Sequence, residues 1–420
     1  MPETLIEKIL SRTSGGSPVT PGEVVVCDVD LTILMDLQFG GGRLGDVVEV
    51  ADPDKIAVIL DHAVPAPTIG DAQSARNARA FVAAHGITQF FDVGRHGIAH
   101  QVVAEQGLAR PGMVIACTDS HTCAAGAFGS AARGLGPLEV LQIVCTGKTW
   151  YEVPPTIRYD LVGRQHAEVN GKDIFLHIAG RYGDAAGHAV EFGGPGLAGM
   201  AMSDRRTIAT QGAEIAADFT LFPGDDVCRS HLSQAAPGAE VTPLHPDDGA
   251  SYAERRTVQL EDIPPMVALP GSVIHNAGPV GAVAGTRIDQ AFIGSCANGQ
   301  LADIEVAARI LRGRRVAPTT RLIVTPASQR VYAEASRKGY LADLAEAGAT
   351  VTPPTCGACF GYHMGVLAPG EVCITASTRN FKGRMGSPDA DVFMASPATV
   401  AASAVRGVIS DVRDLDGVTA

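Results

Sequence analysis

The stretch Q-A-F-I-G-S-C-A-N-G, residues 290–299, decides how this chain reads. An apolar run, Gln290–Gly294, empties into a small-residue loop holding Cys296, and a helix-patterned segment, Leu301–Leu311, follows. Strand, glycine loop and helix in that order make an α/β unit, and the loop at the strand's end is where open α/β sheets place ligands. A second such loop lies 60 residues on: P-T-C-G-A-C-F-G carries Cys356 and Cys359 in C-x-x-C spacing, just after the run Ala349–Val351. Three thiolates from two strand-end loops can hold a soft metal or an iron–sulfur cluster, with one metal position left open for chemistry. By itself a C-x-x-C also fits half a zinc knuckle, a redox pair or buried free thiols.

Working outward, strands and helices alternate. Glu23–Asp30, Lys55–Leu60, Ile87–Val93 and Met113–Ala116 read as strands, and Ser74–Ala84 as a helix capped by Asp71 and closed by Gly86. Pro154-Pro155 breaks the pattern before a new strand, Thr156–Val162. Leu269–Gly285 reads as a connection, Arg321–Thr325 as a strand, Gln329–Arg337 and Pro397–Arg406 as helices. We therefore expect an α/β protein with domains at 1–153, 154–284 and 285–420. The 420 residues exceed one core, and 46% hydrophobic content with only 5% aromatics suits α/β layers with many short loops. A net charge of −12 disfavours nucleic-acid binding. No run is long enough to span a membrane, and nine cysteines without a secretion signal point to a reducing cytoplasm.

Histidines recur in strand-end strings: L-D-H-A-V-P (Asp61, His62), G-I-A-H-Q (His100), T-D-S-H-T (Asp119, Ser120, His121) and, more distantly, C-F-G-Y-H-M-G (His363). A carboxylate beside an imidazole fixes its tautomer and favours its protonated form, which suits a general acid; taken singly, each His could equally cap a turn. S-T-R-N-F-K-G-R-M-G supplies Arg379 and Arg384, two guanidiniums able to grip carboxylates. Glu214, in Q-G-A-E-I-A-A-D, could by composition be an ordinary helix carboxylate.

In this order, D-H-x-V-P, G-I-x-H-Q, D-S-H-T, S-C-x-N-G, C-G-x-C-x-G and R-N-F-x-G-R resemble the aconitase superfamily, from about Gly22 to Arg406. The length looks like the large subunits of 3-isopropylmalate dehydratase or homoaconitase. The resemblance implies three α/β/α-type domains around a central cluster site, with the swivelling fourth domain on another chain. It implies a 4Fe–4S cluster on Cys296, Cys356 and Cys359, and His62, paired with Asp61, as proton donor to the leaving hydroxyl. His100 with Asp119 and His121 with Glu214 would be further acid–base pairs, and Ser120, Arg379 and Arg384 would hold substrate carboxylates. The expected reaction is reversible dehydration of a small hydroxy acid, isopropylmalate first, with homoaconitate or a methylmalate or dimethylmalate as alternatives. A non-catalytic or RNA-binding relative and a zinc-stabilised scaffold are the readings from other classes. The family's base is a serine in a G-S-S-R-type loop, and no such string occurs here, so a small partner subunit carrying the swivelling domain is expected. Met35-Asp36 stand where a His-Asp pair is common, Ala297 replaces Thr, and Ala63, Thr210 and Thr378 each replace Asn.

Overall fold

Leu31–Met35 and Ile56–Ile59 are buried throughout and apolar at every position but Thr32, as strands covered on both faces must nearly be. In the computed structural model, which describes residues 1–41 and 44–415, they lie at the centre of a five-stranded sheet. Its order is Gln89–Phe91, Ile56–Ile59, Leu31–Met35, Val114–Cys117, Ala131–Gly134, and every pairing is parallel. Parallel strands all end on one edge, so the residues that follow them share a side of the sheet. Helices Ile69–His85 and Pro137–Thr146 cover it, packing Phe81, Val140 and Val144 against Leu34 and Val58. The Thr68 hydroxyl accepts the Asp71 amide at 3.2 Å, so the first of these helices starts earlier than Asp71 as cap implied; Gly86 closes it in the left-handed conformation, as expected.

This sheet belongs to one of two compact units, made of Met1–Val93, Ala99–Gly163 and Ala185–Gln259. The same unit holds a second parallel sheet, ordered Phe219–Leu221, Ala189–Gly193, Thr156–Val162, Glu254–Gln259. It also holds an antiparallel ribbon of Val24–Asp28 with Lys148–Glu152. The single strand expected over Glu23–Asp30 is thus shorter, and Leu31–Met35 enters a different sheet, with Asp28 and Asp30 flanking the break.

The other unit comprises Gly94–Ile98, Arg164–Asp184 and the chain from Leu260 onward. Its seven-stranded sheet runs Ala277–Pro279, Met266–Ala268, Asp391–Ala395, Val372–Thr375, Gln290–Ile293, Arg321–Val324, Thr350–Val351. The five strands from Asp391–Ala395 onward are parallel, and the first two are antiparallel. Helices Leu301–Leu311, Gln329–Arg337 and Pro397–Arg406 occupy the expected residues. Ile304, Ala308 and Leu311 meet Val400 and Ala401 in the core, where a fully buried Leu or Ile contributes about 1.5–3 kcal/mol. Within Leu269–Gly285, read as connection, Ala277–Pro279 forms an edge strand, because its backbone finds partners in Met266–Ala268. The modules 1–153, 154–284 and 285–420 remain our proposal; sheet membership assigns Met266–Ala268 and Ala277–Pro279 to the seven-stranded sheet.

Two glycines fix the approach of loops to Phe219–Leu221. A Cβ on Gly126 would lie 1.7 Å from the Thr220 carbonyl oxygen, and one on Gly212 would lie 1.8 Å from the Thr220 hydroxyl. Gly126 belongs to the 3₁₀ segment Ser120–Phe128, and its carbonyl accepts the Phe222 amide at 2.9 Å. We predict that Gly126→Ala lowers stability by about 1–3 kcal/mol through overpacking. A thermal melt indistinguishable from the wild type would refute this close contact.

Candidate active site and metal-ligating loops

The edge where the five-stranded sheet ends collects charge. Asp36 follows Leu31–Met35, Asp61 and His62 follow Ile56–Ile59, and Asp119, Ser120 and His121 follow Val114–Cys117. His100 sits in helix Ala99–Glu105, after Gln89–Phe91, and Glu214 in the turn Gly212–Ile215 that ends helix Met202–Gln211. Asp61 pairs with His62 Nδ1, and its other oxygen accepts the Ala99 amide at 3.0 Å. Asp119 faces three imidazoles: His62 Nε2 at 3.9 Å, His100 Nε2 at 3.3 Å and His121 Nδ1 at 3.3 Å. His121 Nε2 reaches Glu214 at 3.0 Å. All six expected acid–base residues therefore lie in one connected cluster of this unit. Ser120 stands beside Asp119 with its side chain exposed.

The three imidazoles and Asp61 are buried, whereas Asp119 keeps about a fifth of its side chain exposed (21%). Burial would push the Asp119 carboxyl up, yet hydrogen bonds from His100 and His121 and their charges hold it well below the carboxylate range. For His121, burial disfavours the charged ring, but Asp119 and Glu214 outweigh it and raise its pKa above the ordinary 6.5. A ring whose two nitrogens both face carboxylate oxygens satisfies both only when each carries a proton. Burial raises the Asp61 pKa, opposed by His62 and reinforced by the Asp36 anion.

In the other unit, Cys296 lies in the one-turn helix Ser295–Asn298, directly after Gln290–Ile293. Ser295 adopts φ +82°, a left-handed conformation uncommon for residues with a Cβ. The turn is tied down from the next helix: Asp303 accepts Asn298 Nδ2 at 3.1 Å and the Gln300 amide at 3.0 Å. Cys296 packs with Ile98 and Ala327, and Cys356 packs on that same cluster, so the two loops meet. Cys359 is buried among Phe292, Ile323 and Ala358, with its sulfur 3.9 Å from the Thr378 hydroxyl. All three are free thiols on strand-end loops of one sheet, and this soft donor set fits a thiolate-held cluster.

The arginines belong to the loop after Val372–Thr375. Arg384 lies 5.7 Å from the Phe360 ring and 5.9 Å from the Phe381 ring. A Cβ on Gly361, which has φ +70°, would come within 2.5 Å of the Arg384 carbonyl oxygen, so the C-x-x-C loop and the arginine loop abut. Lys172, fully buried, donates from Nζ to the Ser377 carbonyl at 2.8 Å, two residues before Arg379.

No sequence motif singles out Lys172, and Asp36 enters only as a departure from the family pattern. A lysine in the first turn of a helix ordinarily reads as solvated, so nothing local marks Lys172. Asp36, an acid at the end of an apolar run, did carry a signal. The His121 pairing has a definite pH signature. A folded-state pKa raised above the unfolded value contributes stability below about pH 6.5 that is lost as pH climbs through the folded value. His121→Gln is expected to cost about 1.5–3 kcal/mol at pH 6, the range for a charge-assisted hydrogen bond, and less at pH 9. Melting curves of both proteins across pH 5–9 check this, and a gap that widens with pH contradicts it.

The profile of the Aconitase family (aconitate hydratase) matches residues 46–278 and 273–407. A 3-isopropylmalate dehydratase large subunit from Mycolicibacterium smegmatis is 59% identical over 98% of this chain and 97% of its own. A 3-isopropylmalate dehydratase large subunit 1 from Methanopyrus kandleri is 43% identical over 98% of this chain and 99% of its own. A protein named "Probable methanogen homoaconitase large subunit" from Methanothermobacter thermautotrophicus is 41% identical over 97% and 96%. Among solved structures, the holo form of Thermococcus kodakaraensis aconitase X shares the fold, with a TM-score of 0.51 at 14% identity, over 87% of this chain and 88% of that one. With a matching family profile across most of its length and relatives this similar, the chain belongs to the aconitase family.

Proposed function

We propose that the chain is the large, cluster-binding subunit of a hydro-lyase that reversibly dehydrates a hydroxy di- or tricarboxylate, with isopropylmalate as the acid. One observation carries the reading most directly: a single carboxylate, Asp119, has three buried imidazoles within 3.9 Å. Removing water requires a proton on the departing hydroxyl and a base on the adjacent carbon. Imidazoles backed by carboxylates can donate, accept and relay those protons near neutral pH.

His62, backed by Asp61, is the donor to the departing hydroxyl. The pairs His100–Asp119 and His121–Glu214 orient the site and move protons. Ser120, Arg379 and Arg384 hold substrate carboxylates, for which a guanidinium fork offers two parallel donors. Stacking between Phe360 and Phe381 limits where the Arg384 fork can point. Cys296, Cys356 and Cys359 would hold the cluster, and a bound 4Fe–4S group supplies a Lewis-acidic iron with no protein ligand. The base on carbon is assigned to a serine on a small subunit that carries the swivelling domain; the relatives' naming as large subunits supports such a partner.

The 59% relative favours isopropylmalate over homoaconitate, whose named relative stands at 41%. Nine free thiols suit a reducing cytoplasm, and among the described residues no helix is long and apolar enough to cross a membrane. The net charge of −12 speaks against nucleic acid as a partner.

The test is anaerobic purification with the small subunit, followed by iron, sulfide and turnover measurements on isopropylmalate and homoaconitate. Cys356→Ser is expected to lose the cluster. His62→Ala is expected to keep iron and sulfide while losing about 10²–10⁴-fold in turnover, the usual worth of a general acid. Zinc without sulfide in the wild type would sink the cluster assignment, and normal dehydration by His62→Ala would sink the donor role.

A further inference from the structure

We propose that Asp36 is a positioning residue for His62, holding the Asp61–His62 turn by its backbone and setting a second anion against the imidazole. The inference rests on the reading of His62 as proton donor and deepens it. Parallel pairing puts Met35 opposite Ile59, so the residue after Met35 stands beside the turn that follows Ile59. Asp36 Oδ1 accepts the His62 amide at 3.2 Å, and Oδ2 accepts the Ala63 amide at 2.7 Å. The same Oδ1 lies 3.7 Å from His62 Nδ1, the nitrogen that Asp61 also faces. Asp36 is itself preorganised: the Met35 amide donates to Gln38 Oε1 at 2.6 Å, and Asn77 Nδ2 donates to the Phe39 carbonyl at 3.0 Å, bracketing its turn.

The physical consequence has two parts. Two backbone amides fixed by one carboxylate leave the turn little freedom, so the ring is aimed before substrate arrives. Two carboxylates, Asp36 and Asp61, buried at 2% and 1% exposure, both turn oxygens toward His62 Nδ1, and so demand a donor proton on that nitrogen. Asp119, 3.9 Å from Nε2, adds to that demand on the ring's other side. Asp36 touches no reacting atom in this account; it acts through His62.

The experiment is a double-mutant cycle in the assembled holoenzyme. Asp36→Asn, nearly isosteric, is expected to lower kcat about 10- to 100-fold with KM changed by less than about threefold, the pattern of a lost transition-state interaction. Iron and sulfide content should stay at the wild-type level. In a His62→Ala background the same substitution should add less than about a twofold loss, because its effect passes through the missing ring. Asp36→Glu, which keeps the anion on a longer arm, should recover part of kcat and stands in should the asparagine variant not fold. Wild-type kcat in Asp36→Asn, or a loss that adds in full to that of His62→Ala, overturns the inference. Should the wild-type holoenzyme dehydrate no hydroxy acid, the proposed function fails by itself. The inference is then read from the ¹⁵N resonances of the His62 ring, which must differ between wild type and Asp36→Asn; identical spectra overturn it.

Discussion

Parallel pairing of short buried strands is the constraint on which the chemistry of this chain depends. In the five-stranded sheet each strand runs the same way, so chain segments tens of residues apart in sequence finish along one edge. Asp36, Asp61, His62, Asp119 and His121 are the residues that follow those strands. The second unit repeats the device: Cys296, Cys356, Cys359 and the arginine loop follow parallel strands of the seven-stranded sheet. The backbone at a parallel strand's end has done its ladder bonding, which frees the next residues to turn and present side chains.

Charge held away from water then organises the edge. A carboxylate held mostly away from water is tolerated only with donors around it, and Asp119 has imidazoles and the His121 amide, at 2.7 Å, to serve it. His121 in turn holds two carboxylates together, one from the first sheet's edge and one from the turn Gly212–Ile215. Removing any one member leaves the others buried with unbalanced charge, so the cluster behaves as a unit rather than as separate pairs.

Close backbone packing fixes where those charges stand. Gly126 and Gly212 press on opposite parts of Thr220, the first on its carbonyl and the second on its hydroxyl. They belong to the segments that carry His121 and Glu214, so the 3.0 Å contact between those side chains is set partly by two absent methyl groups. In the second unit Lys172 does comparable work from a helix start, fixing the Ser377 carbonyl next to Thr378 and Arg379. Its buried ammonium donates to a main-chain oxygen, which ties loop geometry to a side chain distant in sequence.

The sequence alone determined the α/β alternation, the helices Leu301–Leu311, Gln329–Arg337 and Pro397–Arg406, and the identity of the thiols and imidazoles at strand ends. Those features are local: period, caps and the residue types that end a strand are written in adjacent positions. Tertiary structure alone decided that Asp36 lies against His62, that Asp119 serves three rings and that Lys172 is buried. It also decided that Val24–Asp28 and Leu31–Met35 enter different sheets, and it decided the edge strand inside Leu269–Gly285. Each of these rests on a partner far along the chain. Burial, which turns an ordinary aspartate or lysine into a fixed charge, is a property of the packed whole and leaves no mark on neighbouring residues.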